Sequence, residues 1–263
     1  MTGMWSVACA AVSHAGHVRR VNEDAWLARP EAGLFAVADG MGGHQRGDIA
    51  SRMVIDALAT LPPAPDARTM RDRVETSLAA VNRALQQTGG GAGGVSGSTV
   101  VVLLMCGRHF AVLWAGDSRA YRAGPDGFAQ VTRDHSLVQE LVDRGALTRE
   151  AARGHPMSSR ITRAVGVAPE LVLEGVQGEL RAGDAFLLCS DGLTRHVADA
   201  EIRSALEALP PEAAAERLLE LTLARGATDN VTVLVLHIRP GDGTGAEPGG
   251  DEDATVVLRE GMP

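Results

Sequence analysis

Leu34-Phe35-Ala36-Val37-Ala38-Asp39-Gly40-Met41-Gly42-Gly43-His44-Gln45-Arg46-Gly47 is the stretch around which the rest of the chain is organised. An apolar run of strand character meets a carboxylate, then a glycine-rich turn where small residues let backbone approach a ligand. A helix follows at once: from Ala50, the apolar residues Met53, Val54, Ala57 and Leu58 fall at the third, fourth, seventh and eighth positions, which is one helical face. The unit is strand, acidic turn, helix. Asp39 with the Gly40 carbonyl beside it suits a hard cation that takes oxygen ligands, while an ordinary Asp-Gly tight turn accounts for the stretch equally well.

With 263 residues and 45% hydrophobic content the chain can bury a real core, as one large domain or two small ones. No apolar run approaches the ~20 residues of a membrane span. The short apolar run in Met1 to Ala11 has no basic region ahead of it, so it reads as a first strand rather than a signal peptide. Cys9, Cys106 and Cys189 fit neither a metal spacing nor a disulfide framework, which points to buried thiols in a reducing cytoplasm. The net charge of -8 is concentrated in the last stretch, where Asp242, Glu247, Asp251, Glu252, Asp253 and Glu260 face only Arg259. Nothing in this balance invites nucleic acid. All 25 basic residues are arginine, which excludes lysine Schiff-base chemistry and the lysine of a phosphate-binding loop.

Working outward, Trp5 to Val12 and Ala25 to Leu27 read as strands, separated by a turn holding His14 and His17 and by the charged segment Arg19-Arg20-Val21-Asn22-Glu23-Asp24. Two arginines beside two acids make either a surface ion cluster or an anion clamp next to a metal. Beyond Pro62-Pro63 a second helix spans Ala67 to Gln87, with Met70, Val74, Leu78, Val81 and Leu85 as its buried stripe. Gly89-x-Gly91-x-x-Gly94 has the spacing of a dinucleotide loop, but it follows a helix and precedes a strand, the reverse of what such a site needs.

Ser98 to Met105 and His109 to Ala115 form a predicted antiparallel hairpin, and a second hairpin turns at Gly124-Pro125-Asp126-Gly127. Thr132 to Gly166 is polar and reads as an insertion lying over the edge of the core, with a helix from Ser136 to Arg144 and a short one from Thr148. Strands follow from Leu171 to Val176 and from Asp184 to Cys189. Helices at Asp199 to Leu209 and Pro211 to Arg225 precede a central strand, Val231 to Ile238, apolar on both faces. From Pro240 onward, Gly, Pro and acidic residues predict a disordered tail. Strands and helices come in runs, which favours an α+β fold over a doubly wound parallel sheet. The predicted division is a domain over 1–239 and a tail over 240–263.

Four aspartates, Asp39, Asp117, Asp191 and Asp229, each sit where an apolar strand meets a polar turn. Four such acids predict a shared acidic rim. Gathered carboxylates repel one another and demand cations or protons. Oxygen-only ligands favour Mg²⁺ or Mn²⁺ over zinc, and two such ions about 4 Å apart can activate water and hold a phosphoryl group for in-line attack. Arg19 is the candidate phosphate grip, because a guanidinium fork matches two phosphate oxygens.

The chain resembles the metal-dependent type 2C serine/threonine protein phosphatases in their bacterial form, over about residues 5 to 238. The resemblance rests on Arg19-x-x-Asn22-Glu23-Asp24, Asp39-Gly-Met-Gly-Gly-His44-x-x-Gly47, Gly97-Ser-Thr99, Gly116-Asp-Ser-Arg-Ala-Tyr121, Asp134-His-Ser-Leu-Val-Gln-Glu140, Leu188-Cys-Ser-Asp-Gly-Leu193 and Asp229-Asn-Val-Thr232, in that order. It implies a four-layer α-β-β-α sandwich of two antiparallel sheets flanked by helices, and two to three Mn²⁺ or Mg²⁺. Asp39 would bridge the two core metals with the Gly40 carbonyl on one of them, Asp191 and Asp229 would hold the other, and Asp117 with Asp191 would match a weaker third site. Glu23, Asp24 and Asn230 would act behind these ligands, the first two by orienting bound waters, and Arg19 rather than Arg20 falls on the phosphate position. Asp134 to about Gly166 corresponds to a mobile flap, whose Arg153, Arg160 and Arg163 either steer a phosphoprotein or make a solvated face.

Animal members carry a histidine two residues after the first metal aspartate, where this chain has Met41. The nearest histidine is His44, a candidate general acid against a role in the turn. The implied activity is hydrolysis of phosphoserine and phosphothreonine in proteins by metal-bridged hydroxide, opposing a cognate bacterial Ser/Thr kinase in the cytoplasm. A pseudophosphatase that binds phosphoprotein without turnover is the alternative. An aspartyl-phosphate hydrolase is a third reading, and it lacks the lysine such sites employ. Asp251-Glu-Asp-Ala-Thr255-Val-Val-Leu resembles phosphothreonine motifs read by forkhead-associated domains, against a plain acidic tail.

Overall fold

The strand read from Leu34 is β3 (Leu34–Gly42), and its side chains alternate between two cores. Leu34, Ala36 and Ala38 face helices, whereas Phe35 and Val37 face a second sheet. Both faces are dry, which is why the run is continuously apolar rather than alternating in polarity. The computed structural model describes residues 5–42, 47–89, 96–152, 155–241 and 256–260.

β3 lies between β2 (Asp24–Arg29) and β5 (Val100–Cys106) in an antiparallel sheet that continues through β6 (His109–Ala115) to β9 (Glu174–Glu179). The short β4 (Ser96–Ser98) pairs with the end of β3. The second sheet is ordered β12 (Val256–Glu260), β1 (Trp5–His14), β11 (Val231–Pro240), β10 (Ala185–Cys189), β7 (Arg119–Gly124) and β8 (Gly127–Gln130). Every pairing in it is antiparallel except that of β1 with β12.

Phe35, Val101, Leu103 and Trp114 from one sheet meet Phe186, Leu188, Leu234 and Leu236 from the other. On the outer face of the β3 sheet lie α1 (Gly47–Ala59) and α2 (Ala67–Gly89), whose Val54, Leu58, Val74, Leu78 and Leu85 are buried there. α5 (Asp191–Thr194), α6 (Asp199–Ala208) and α7 (Pro211–Ala224) cover the second sheet, with Leu193, Ile202, Leu206 and Leu218 against Leu187, Val233 and Val235. The architecture is the four-layer α-β-β-α sandwich of two antiparallel sheets, in the α+β class. Both predicted hairpins form, β5 with β6 and β7 with β8, and Val231 does begin a strand flanked on both sides.

Four local readings differ from the structure. The polar segment, which carries α3 (Leu137–Asp143) and α4 (Arg149–Ala152), does not merely lie over the core: Ala164 and Val165 at its end are buried, and Val165 exchanges backbone hydrogen bonds of 2.8 and 3.0 Å with Ser98. β9 starts at Glu174 instead of Leu171, because Leu171 and Leu173 pack against the helix-side core. Cys9 and Cys189 are buried as expected, but Cys106 at a strand end is only partly so. Finally, Val256–Glu260 lies inside the span read as a disordered tail, yet it runs parallel to Cys9–Ser13, its Val-Val-Leu run supplying strand propensity along the otherwise open edge of β1.

Candidate metal centre

Sheet register gathers the acids at one end of the sandwich. Pairing of β2 with β3 sets Asp24 opposite Asp39, and β4 sets Ser98 opposite Gly40. Asp117 occupies the turn between β6 and β7, Asp191 opens α5 directly after β10, and Asp229 stands two residues before β11. Four strand ends meet there because all four strands line the shared inter-sheet core.

Backbone contacts fix the turn at Asp39. Its N–H donates to Thr99 Oγ1 at 3.0 Å, its carbonyl accepts from Thr99 N at 2.9 Å, and Gly40 N donates to the Glu23 carbonyl at 3.0 Å. A side chain on Gly40 would collide with the Gly47 carbonyl and lie 2.7 Å from that of Glu23, so glycine here is a packing requirement. Gly116, with φ +119°, presses so closely on Thr99 that a Cβ would come within 2.6 Å of it. Thr99 Oγ1 also pairs with Ser118 Oγ at 2.7 Å, tying the Asp39 and Asp117 turns together.

Asp24 is the buried hub behind the site. Its Oδ2 accepts from Ser190 Oγ and Thr232 Oγ1, each at 2.7 Å, while its Oδ1 has no partner among the described residues. Burial pushes its carboxyl up to about 7, with those two hydrogen bonds opposing the shift. Asp39 is held well above the ordinary carboxylate range by burial and then by the charges of Asp24, Asp191, Asp117 and Asp229. Asp117 is raised by burial, then by Asp191 and Asp134; Asp191 is raised by burial, with Arg195 opposing. The four predicted aspartates therefore share one partly buried, electron-rich space, with Asp117 the most enclosed.

Arg19 and Arg195 partly answer that charge. Arg19 grips Asp229 with Nε at 2.8 Å from Oδ1 and Nη2 at 3.0 Å from Oδ2, its side chain half exposed. Arg195 was not among the residues picked from the sequence, although it stands four after Asp191, on one face of a helical turn. Its Nη2 contacts Asp191 Oδ2 and its Nη1 lies 2.9 Å from Asp229 Oδ2. Its Nη2 also donates to Ser159 Oγ at 3.3 Å, linking the centre to the segment between β8 and β9. Among the described residues no three acids already form a coordination shell, and guanidinium groups sit on Asp191 and Asp229. The donor set is nonetheless what a hard divalent cation requires: carboxylate oxygens and the Gly40 carbonyl, with an unpartnered buried oxygen on Asp24 behind them.

Glu23 and Asn230 support the rim. Asn230 Oδ1 accepts from Glu23 N at 2.9 Å, and its amide donates to the carbonyls of Ala15 and Val21, each at 3.0 Å. Glu23 is raised by burial, opposed by a hydrogen bond from Gly47 and by Arg19. His44, Arg153 and Thr255 lie outside the described residues. His135 is a second residue passed over in the sequence. Its N–H donates to the Gly116 carbonyl at 2.9 Å, its Nδ1 accepts from Gly116 N at 3.1 Å, and its ring stacks on Trp114. With Nδ1 accepting, Nε2 carries the proton and donates to Glu174 at 2.9 Å, so the neutral ring clasps the peptide preceding Asp117. The only signal for it was the Asp134-His135-Ser136 string itself.

A family profile described as Protein phosphatase 2C matches residues 13–232. The serine/threonine protein phosphatase PstP of Mycobacterium tuberculosis is 39% identical over 234 residues, 87% of this chain; the chain spans 44% of that relative's length. Among solved structures, PppA, described as a key regulatory component of T6SS in Pseudomonas aeruginosa, is 42% identical with a TM-score of 0.81, covering 89% of this chain and 99% of that one. The catalytic domain of PstP in complex with two manganese ions is 37% identical with a TM-score of 0.78 and the same two coverages.

Proposed function

The chain belongs to the protein phosphatase 2C family, and from that membership we propose that it hydrolyses phosphoserine and phosphothreonine esters in proteins. The observation that carries this reading is the convergence of Asp39, Asp117, Asp191 and Asp229 in one partly buried space whose charge demands cations. Two or three Mn²⁺ or Mg²⁺ would be held by these four carboxylates and the Gly40 carbonyl. Bound there, the ions would lower the pKa of water and polarise the phosphoryl group.

The protein's own groups then have distinct tasks. Asp24, Glu23 and Asn230 hold the rim and keep the ligands oriented through hydroxyl and amide contacts. Arg19, half exposed and aligned by Asp229, has donors left to grip a phosphoryl oxygen. His44 is retained as the candidate proton donor to the leaving alcohol. The natural substrates are phosphoproteins made by a cognate Ser/Thr kinase, in the cytoplasm; among the described residues no helix is long and apolar enough to cross a membrane. Phosphorylated Thr255 is proposed as a ligand for a forkhead-associated domain.

Phosphate release from a phosphothreonine peptide tests the reading. It is expected with Mn²⁺, absent with chelator, and at least a hundredfold lower in Asp191→Asn with Mn²⁺. Peptide bound but not cleaved under all metal conditions would favour the pseudophosphatase instead.

A further inference from the structure

Beside the candidate centre lies a cavity of about 260 Å³ lined by Met41, Gly42, Ile161, Arg163, Ala164 and Val167. It is smaller than the roughly 300 Å³ at which pockets for small molecules and cofactors begin, yet several times the ~30 Å³ share of a water. Its walls are apolar. The one charged group among them, Arg163, leans outward, its Nη1 lying 3.5 Å from the Val172 carbonyl and 3.9 Å from Glu174, and its aliphatic stem lines the wall. Val167 and Val172, each about half exposed, extend the apolar surface outward.

The cavity is registered to Asp39 by the fold. Met41 is two residues beyond Asp39 on β3, hence on the same face and about 7 Å further along. The opposite wall is fastened to the same strand: Gly97 pairs with Met41 and Ser98 with Gly40, Ser98 is bridged to Val165, and Gly166 N donates to Asn82 Oδ1 at 2.6 Å. Centre and cavity are therefore joined through one strand and its partner.

An extended peptide whose phosphorylated residue sits at Asp39 advances by the same ~7 Å per two residues and returns its side chain to the same face. Resting on the phosphatase reading, we infer that this cavity is a specificity subsite, taking an aliphatic or aromatic side chain two positions from the phosphorylated residue of the substrate protein. An acidic side chain would lose its hydration against the apolar walls.

The test uses phosphothreonine peptides carrying Leu, Phe, Ala or Glu two positions before or two positions after the phosphothreonine, with p-nitrophenyl phosphate as a substrate that has no flanking residue. In the intact chain with Mn²⁺, kcat/KM is expected to be at least tenfold higher for Leu or Phe than for Ala or Glu on one of the two sides. Val167→Asp, at a half-exposed rim position, should cut that preference to about twofold or less and leave p-nitrophenyl phosphate turnover unchanged. Equal turnover of all peptides on both sides overturns the inference, as does a preference that survives Val167→Asp. If neither peptides nor p-nitrophenyl phosphate are hydrolysed, the phosphatase reading fails by itself. Anisotropy of the same labelled peptides then decides the subsite: the same rank order in affinity supports it, and a flat series overturns it.

Discussion

Arg195 is the side chain at which the charge balance of the centre can be read most directly. Its guanidinium lies on Asp191 and Asp229, two acids proposed to hold a divalent ion, so cation and guanidinium compete for the same oxygens. Removing it leaves both acids less compensated in the metal-free protein and frees them for a metal. Arg195→Ala is therefore expected to destabilise the chelated protein by about 1–3 kcal/mol. It should also tighten Mn²⁺ binding about tenfold, a gain of about 1.4 kcal/mol. Thermal melts with chelator and calorimetric titration with Mn²⁺ check the two signs; looser Mn²⁺ binding would show that Arg195 supports the metal site rather than competes for it. Asp39 and Asp191 were legible because each follows an apolar run with glycine next in line. Arg195 was not, because one of 25 arginines looks like any other until the turn of α5 aims it inward.

At the scale of elements, burial on both faces sets each strand's tolerance. Leu103 in β5 points between the sheets, fully buried, whereas Val176 in the edge strand β9, paired with Val112, is 42% exposed at the open edge. Leu103→Ala should cost about 2–5 kcal/mol and Val176→Ala less than about 0.5 kcal/mol, read from urea midpoints at unchanged slope. Equal costs would mean that β9 contributes to a core the structure does not give it. Apolar runs revealed β3, β5, β10 and β11, and helical spacing revealed the buried stripe of α2. The start of β9 was missed because Leu171 and Leu173 have strand-like chemistry but are consumed by packing against the helical layer. Propensity gives way there to burial.

For the whole molecule, the gathered acids determine how stability depends on pH. The folded state holds a proton on Asp24 up to about pH 7, whereas the unfolded chain releases it near the ordinary carboxylate value; Asp39, Asp117 and Asp191 are raised in the same direction. Between those limits the native state binds more protons, so stability of the chelated protein falls as pH rises from about 4 to about 7. Melting temperature in chelator should accordingly be higher at pH 5 than at pH 8, and Mn²⁺ should raise it more at pH 8, where its ligands are ionised. A chelated protein that is more stable at pH 8 would contradict the clustering. Sequence by itself determined the α+β class, the strand and helix runs, and the types of residue at the strand ends, because apolar periodicity and turn chemistry are local properties. It did not determine that Asp39, Asp117, Asp191 and Asp229, spread over 190 positions from first to last, meet in one space. Nor did it reveal that His135 clasps Gly116, or that the wall carrying Val165 closes a cavity beside Met41. Those are decided by strand register and by how two sheets pack, which join residues far apart in the chain and leave no periodic trace in it.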